Sequence, residues 1–409
     1  MAKVMPFHGL LPTVENVAEV AAVPYDVVNS EEAAVLAADK PLSFLRVSRP
    51  EIEMEPGIDL HDDQVYAKAA ANFRRLCEQA PLQLDQGEHL YIYRLKMGEH
   101  VQTGIVGAAS ADDYHNDIVK KHEKTRQDKE DDRTRHVTEL HSHTGPVFLT
   151  YKDSGAIDAL IEDLTKTASL FDFVAPDDIA HTLWRVSEAD SKKLSAMFDN
   201  IPSLYIADGH HRSAAAARTQ VECAPKNPNH TGNEDYNFFL SVTFPASQLK
   251  LLPYNRAVKS LNGMTPELLI ERVSEKFTLS PTDNPNPEKS AEFCMYLDGK
   301  WYLLQPKFDV STLGVIERLD VSILQDNILS PLLDIGDPRT SKGIDFIGGI
   351  RGTKELEKLV NNGSHAVAFS MFPTTVEQLM DIADAGAIMP PKSTWFEPKL
   401  RDGIVCHNF

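Results

Sequence analysis

Cysteine is scarce in this chain: four residues among 409, Cys77, Cys223, Cys294 and Cys406, with no CxxC pair. Their wide spacing excludes a zinc ribbon or a disulfide framework as the organising device. Long apolar runs are missing too. No stretch reaches the roughly 18 residues that a membrane-crossing helix needs, and Met1-Ala2-Lys3-Val4-Met5-Pro6 lacks the apolar core of a secretory leader. A cytoplasmic protein without a membrane partner is expected. Positive charge is also in deficit, with 41 Lys and Arg against 60 Asp and Glu, a net charge of −19. That opposes tight binding to bulk nucleic acid, whose affinity comes mainly from Lys and Arg on phosphates. It leaves room for a local basic pocket and a small anionic substrate. Internal repeats and low-complexity tracts are absent.

A chain of 409 residues is long for one hydrophobic core, so two domains, or one with a large elaboration, are expected. A weak boundary near residues 245–262 divides it into 1–245 and 246–409. Asn29 or Ser30 offers an N-cap to a helix over Glu31–Ala38. Phe44–Val47 reads as a strand, and Val65, Ala69, Phe73 and Leu76 give Asp62–Gln79 a helical period. Leu90–Leu95 and Val101–Val106 form a hairpin, and Gly145–Tyr151 and Phe238–Phe244 read as strands. Strands and helices alternate irregularly, which predicts an α+β or mixed α/β fold rather than a doubly wound sheet.

The most informative stretch is Leu204-Tyr205-Ile206-Ala207-Asp208-Gly209-His210-His211-Arg212-Ser213, followed by an alanine-rich helix. It reads as a buried strand, a tight turn at Asp208-Gly209 and a helix start. Such a start carries unpaired N–H groups and the positive end of the helix dipole, so it attracts anions. Gly209 permits close backbone approach, Arg212 can grip phosphate or carboxylate with two parallel bonds, and His210 and His211 add groups that exchange protons near neutral pH. Arg212 is expected to clamp phosphate rather than to pack. A helix start with merely solvated histidines is the plainer alternative.

Lys120 to His136 is a dense charge run in which Asp128 and Asp132, and Lys129 and Arg133, place like charges at i,i+4. It reads equally as a solvated face or as a surface where carboxylates meet a metal or hydroxyl and bases meet phosphate. His136, His141 and His143 complete no recognised zinc spacing, and His122-Glu123 lacks the second histidine of HExxH. A second strand, glycine turn and helix occurs at Ile344 to Val360, with Gly348, Gly349, Arg351 and Gly352. It departs from a Walker A loop, and tight packing explains its glycines as well as phosphate does. Lys392 to Lys399, bounded by prolines, reads as a lid or a docked strap.

Seven motifs in order resemble one family. They are Pro6-Phe7 with Gly9-Leu10, Pro24-Tyr25-Asp26-Val27-Val28, His122-Glu123-x-Thr125 with Asp132-Arg133, Gly145-Pro146-Val147, Asp208-Gly209-His210-His211-Arg212, Gly348-Gly349-Ile350-Arg351-Gly352, and Pro391-Lys392-Ser393-Thr394-x-Phe396-x-Pro398-Lys399. Together they resemble the domain of unknown function DUF1015, which is related to free L-serine kinases and whose DGHHR turn is similar to the phosphate turn of ParB/sulfiredoxin-like proteins. The resemblance implies a ParB/sulfiredoxin-like mixed-sheet core with a sizeable C-terminal α/β elaboration. It implies a nucleotide, ATP or ADP, with Mg²⁺, and phosphate transfer to the hydroxyl of free L-serine or a similar small hydroxy acid. Asp208 to Arg212 would be the phosphate turn and Glu123 the general base, with His210 and His211 beside it. Arg133, Gly349 and Arg351 are further nucleotide-binding candidates, and Asp132 and Asp208 are the candidate Mg²⁺ carboxylates. A nucleotide-binding regulatory module without turnover, and a metal-dependent phosphohydrolase using Asp208, His210 and His211, are the alternatives. Oligomeric state is not legible.

Overall fold

The computed structural model describes residues 1–79 and 82–409. The fold is mixed α/β, and the chain forms two compact units, Met1–Leu249 with Pro398–Phe409, and Lys250–Glu397. Among the described residues no helix is long and apolar enough to cross a membrane.

The first unit is built on a nine-stranded mixed sheet. Its strands run in the order Val119–Lys120, Leu204–Asp208, Val147–Tyr151, Phe238–Pro245, His100–Ser110, Tyr91–Met97, Ala180–Arg185 and Phe171–Val174, with Val4–Met5 also paired to His100–Ser110. Leu204–Asp208 runs parallel to Val119–Lys120 and antiparallel to Val147–Tyr151, whereas Val147–Tyr151 and Phe238–Pro245 are parallel. Both faces of the central strands are buried, so they read as continuous apolar runs rather than alternations. Ile92, Leu149, Ile206, Leu194 and Phe198 belong to one core cluster beneath them. A smaller four-stranded sheet joins Gln83–Leu84, Gly9–Leu11, Cys406–Asn408 and Ser142–His143. The last residues of the chain thus lie between two segments that precede them by hundreds of positions.

The helix at Ser30–Ala37 starts at Asn29, whose side chain accepts from Glu32 N while Glu32 caps Asn29 N in return. Phe44–Val47, expected as a strand, instead enters a short helix at Leu45–Ser48. Four apolar residues cannot distinguish the two periods, and here Phe44 and Val47, at i and i+3, pack into the cluster containing Phe73 and Leu76.

The second unit carries a six-stranded antiparallel sheet in the order Phe277–Pro281, Lys300–Pro306, Phe293–Leu297, Val367–Met371, Tyr254–Val258 and Ile344–Gly348. Gly352–Asn361 packs Leu356 into this unit's core with Ala257, Cys294 and Ala368. Trp395–Glu397 pairs with Lys250–Leu252 as a docked strand.

Candidate functional site

The Leu204–Asp208 strand slips register between Ile206 and Asp208, leaving Ala207 without a partner across the pair. Such a bulge re-aims the side chain that follows it. Gly209 then turns at φ +98°, and the His210–Cys223 helix starts with no side chain capping it. Ala214 to Ala217 are all buried, which lets this helix lie close against its neighbours. The Arg212 side chain folds back over the turn: a Cβ at Gly209 would lie 3.1 Å from Arg212 Nε. Gly209→Ala is therefore expected to cost about 1–2 kcal/mol for the left-handed backbone alone and to displace Arg212. A thermal melt beside a nucleotide titration reads both effects.

Around this turn the ionisable groups are ordered. Asp208 Oδ2 accepts from Lys399 Nζ at 3.1 Å and lies 3.7 Å from Arg212 Nη2. Burial would raise the Asp208 pKa, but Lys399 and Arg212 overrule it and hold the carboxylate far below its ordinary range. Arg212 donates to the Pro146 carbonyl, while its Nε is buried with no acceptor among the described residues. His210 is buried, and burial followed by its neighbour His122 pushes its pKa well down, so the ring is neutral at physiological pH. The backbone N–H of His122 donates to His210 Nε2 at 3.4 Å. The neutral ring therefore carries its hydrogen on Nδ1, which faces Glu123 Oε2 at 3.8 Å. Glu123 keeps 53% of its side chain exposed, so it is open to solvent. His211 Nε2 accepts from Arg126 N at 3.2 Å, and burial lowers its pKa as well. Glu123, Asp208, Gly209, His210, His211 and Arg212 thus meet at one helix start.

The charge run folds as a helix over Gln127–Leu140, and several of its charges are matched across to neighbouring helices. Arg218 bonds Asp131 at 2.6 Å and Arg135 bonds Asp63 at 2.6 Å. Asp132 accepts from Tyr66 Oη at 2.8 Å and from Arg133 at 2.8 Å. Arg133 lies over the Tyr25 ring, 4.0 Å from its centroid. With both Asp132 oxygens so engaged, and Asp208 facing two cations, these carboxylates are arranged as counter-ions. A Mg²⁺ ion at either would have to displace a cation, and among the described residues no three His, Cys, Asp or Glu side chains form a ligand set.

Gly349 and Arg351 lie in the second unit. A Cβ at Gly349 would come within 2.7 Å of the Pro253 ring and one at Gly348 within 3.0 Å of Trp395, so close packing alone accounts for these glycines. Arg351 is exposed.

Two residues of the site escaped single-residue reading, Tyr25 and Asp402, while Lys399 was legible only as a cation of the C-terminal strap. Arg133, Arg212, Tyr25 and Asp402 line a cavity of about 30 Å³ together with Ser48 and Gly145. Tyr25 and Lys399 stood inside recognised motifs, but nothing local marked Asp402, whose role depends on the return of the C-terminal tail to the first unit.

No curated protein matches the chain. Among solved structures it is similar to a free serine kinase in complex with AMP, at 15% identity over 72% of this chain and 86% of that one, with a TM-score of 0.35. It is similar to a conserved hypothetical protein from Pyrococcus furiosus at 17% identity, covering 74% of this chain and 94% of that one, with a TM-score of 0.34. SbnI with a C-terminal truncation, from Staphylococcus aureus, matches at 11% identity over 73% and 85% of the two chains, with a TM-score of 0.37. Likeness of this degree assigns no activity. Residues 4–322, most of the sequence, match the family described as protein of unknown function DUF1015, and the chain belongs to that family.

Proposed function

We propose that this protein is a small-molecule kinase with a ParB/sulfiredoxin-like core, transferring a phosphoryl group from ATP or ADP to the hydroxyl of free L-serine or a similar hydroxy acid. The observation that carries the reading is the meeting of an uncapped helix start at Gly209, the Arg212 guanidinium, and Glu123 beside a neutral His210. The residues present fit a nucleotide's phosphates: the turn offers backbone N–H groups and a glycine where a side chain would intrude.

Phosphoryl transfer asks mainly for positioning and charge neutralisation. A bound nucleotide would supply the transferable group, with the helix start at Gly209 and Arg212 to hold its phosphates, and a Mg²⁺ ion would supply further charge neutralisation. The helix start and Arg212 bind anionic oxygens. Glu123 accepts the proton of the acceptor hydroxyl as that oxygen forms its bond to phosphorus and the bond to the leaving phosphate oxygen breaks. His210 stays neutral and presents Nδ1–H toward Glu123, orienting the carboxylate without neutralising it by proton transfer. Lys399 holds Asp208, and so the turn, in place. Gly349 and Arg351 take no part in this reading.

Purified protein incubated with ATP or ADP, Mg²⁺ and a panel of hydroxy amino acids is expected to yield a phosphorylated acceptor, detected by ³¹P NMR. Nucleotide binding with no product from any acceptor would favour the regulatory module. Acceptor-independent phosphate release that is lost on chelation would favour the phosphohydrolase.

A further inference from the structure

The tail Pro398–Phe409 brings Asp402 over Gly145, where an added Cβ would lie 3.0 Å from Asp402 Oδ1 and 3.6 Å from Arg212 Cδ. The Asp402 backbone is pinned by reciprocal bonds with Ala22, N to O at 2.9 Å and O from N at 3.1 Å. Its neighbour Arg401 is held by His181 Nε2 and Asp177. The carboxyl is therefore fixed from behind, while its Oδ1 is buried and accepts no hydrogen bond among the described residues. Asp402 is only 3% exposed. Arg212, with its own unpartnered Nε, lines the same cavity.

The charges around this cavity pair off unequally. Arg133 is matched by Asp132, Lys399 by Asp208, and Arg401 by Asp177. Arg212 faces the exposed Asp26 and shares Asp208 at 3.7 Å, so Asp402 is its remaining buried counter-charge. A cavity of about 30 Å³ has room for roughly two water-sized groups, enough for both oxygens of a carboxylate or for two of the oxygens of a phosphate. One such oxygen could satisfy Arg212 Nε–H and a protonated Asp402 at once. We propose that this cavity binds the oxyanion head of a small carboxylate or phosphate compound, and that Asp402 takes up one proton from solvent as it does so.

The proton has a place to go at neutral pH. Burial pushes Asp402 up to about 7, helped by Asp26, although Arg212, Arg133 and Arg401 pull it down. The other titratable groups facing the cavity hold still between pH 6 and 8. Burial keeps Tyr25 protonated, at about 12, and keeps His136 and His143 neutral, at about 4 and 3. The proposal asks only for binding, so it stands or falls apart from kinase turnover, which product formation tests.

Isothermal titration of the full chain with sulfate, and separately with acetate, reads it directly, because neither probe changes charge between pH 6 and 8. Affinity for at least one probe is expected to fall about tenfold from pH 6 to pH 8. Repeating the titration at pH 8 in buffers of different ionisation enthalpy should count close to one proton taken up per anion. Preference for sulfate points to a phosphate compound, and preference for acetate to a carboxylate. Asp402→Asn, which mimics the protonated acid, should bind as tightly at pH 8 as at pH 6 with no proton uptake. Binding that is independent of pH, as simple capture at the helix start would give, overturns the proposal. So does a pH slope that survives in Asp402→Asn, or no binding of either probe. If that variant does not fold, the proton count on the native chain still decides.

Discussion

Glu123→Gln is expected to slow phosphoryl transfer by about 10²–10⁴-fold, the usual effect of removing a general base, while nucleotide affinity stays nearly unchanged. The amide keeps the shape of the carboxylate and its approach to His210 Nδ1 at 3.8 Å, but it cannot take a proton. In free energy the loss is about 3–5 kcal/mol of transition-state stabilisation. Steady-state kinetics beside a direct nucleotide titration separate the two effects. His210 cannot substitute as base, because burial holds its pKa well down and His122 N–H already occupies Nε2. A fall of less than tenfold would move the base elsewhere. Glu130 is the next candidate but a poorer one, since it accepts from Thr125 and lies 3.8 Å from Arg218.

Arg212→Ala is expected to weaken nucleotide binding by about 2–4 kcal/mol, the scale for removing a charged hydrogen-bonding partner. Sequence reasoning casts Arg212 as a clamp whose loss leaves the fold intact, and the structure corrects this. Arg212 also donates to the Pro146 carbonyl and neutralises Asp208 and Asp402. Truncation leaves those carboxylates short of a counter-charge, so the melting temperature should fall along with affinity. Arg212→Lys separates the roles: it retains the charge and much of the stability but lacks the planar fork, so affinity should still drop. Unchanged nucleotide affinity in a folded Arg212→Ala protein would remove the phosphate-turn assignment.

The parts of the site that could be read from the chain are those whose signals are local. Leu204 to Ser213 announces a strand, a glycine turn and a helix because those three propensities follow one another within ten residues, and the structure has that sequence of elements. Asn29 with Glu32 announces a helix start for the same reason. Phe44–Val47 reads as a strand yet enters a helix, because four residues carry no period and packing against Phe73 and Leu76 decides it. The charge run was ambiguous because a helix face looks the same in sequence whether its carboxylates meet metal, water or arginine. Only Arg218 and Asp63, on other helices, showed that its charges are matched by protein.

Local pattern, taken alone, determined the mixed α/β class and the strand, glycine turn and helix start at Leu204 to Ser213, because both follow from propensities that act over a few residues. Seven motifs in order carried the resemblance to the family that the chain belongs to. Tertiary structure alone decided that Lys399 holds Asp208 across 191 positions and that Asp402 closes the cavity beside Arg212. It also decided that Glu123 meets His210, 87 residues away along the chain. Electrostatic contact depends on distance in space, and strand pairing of Cys406–Asn408 with Gly9–Leu11 and Ser142–His143 sets that distance for the tail.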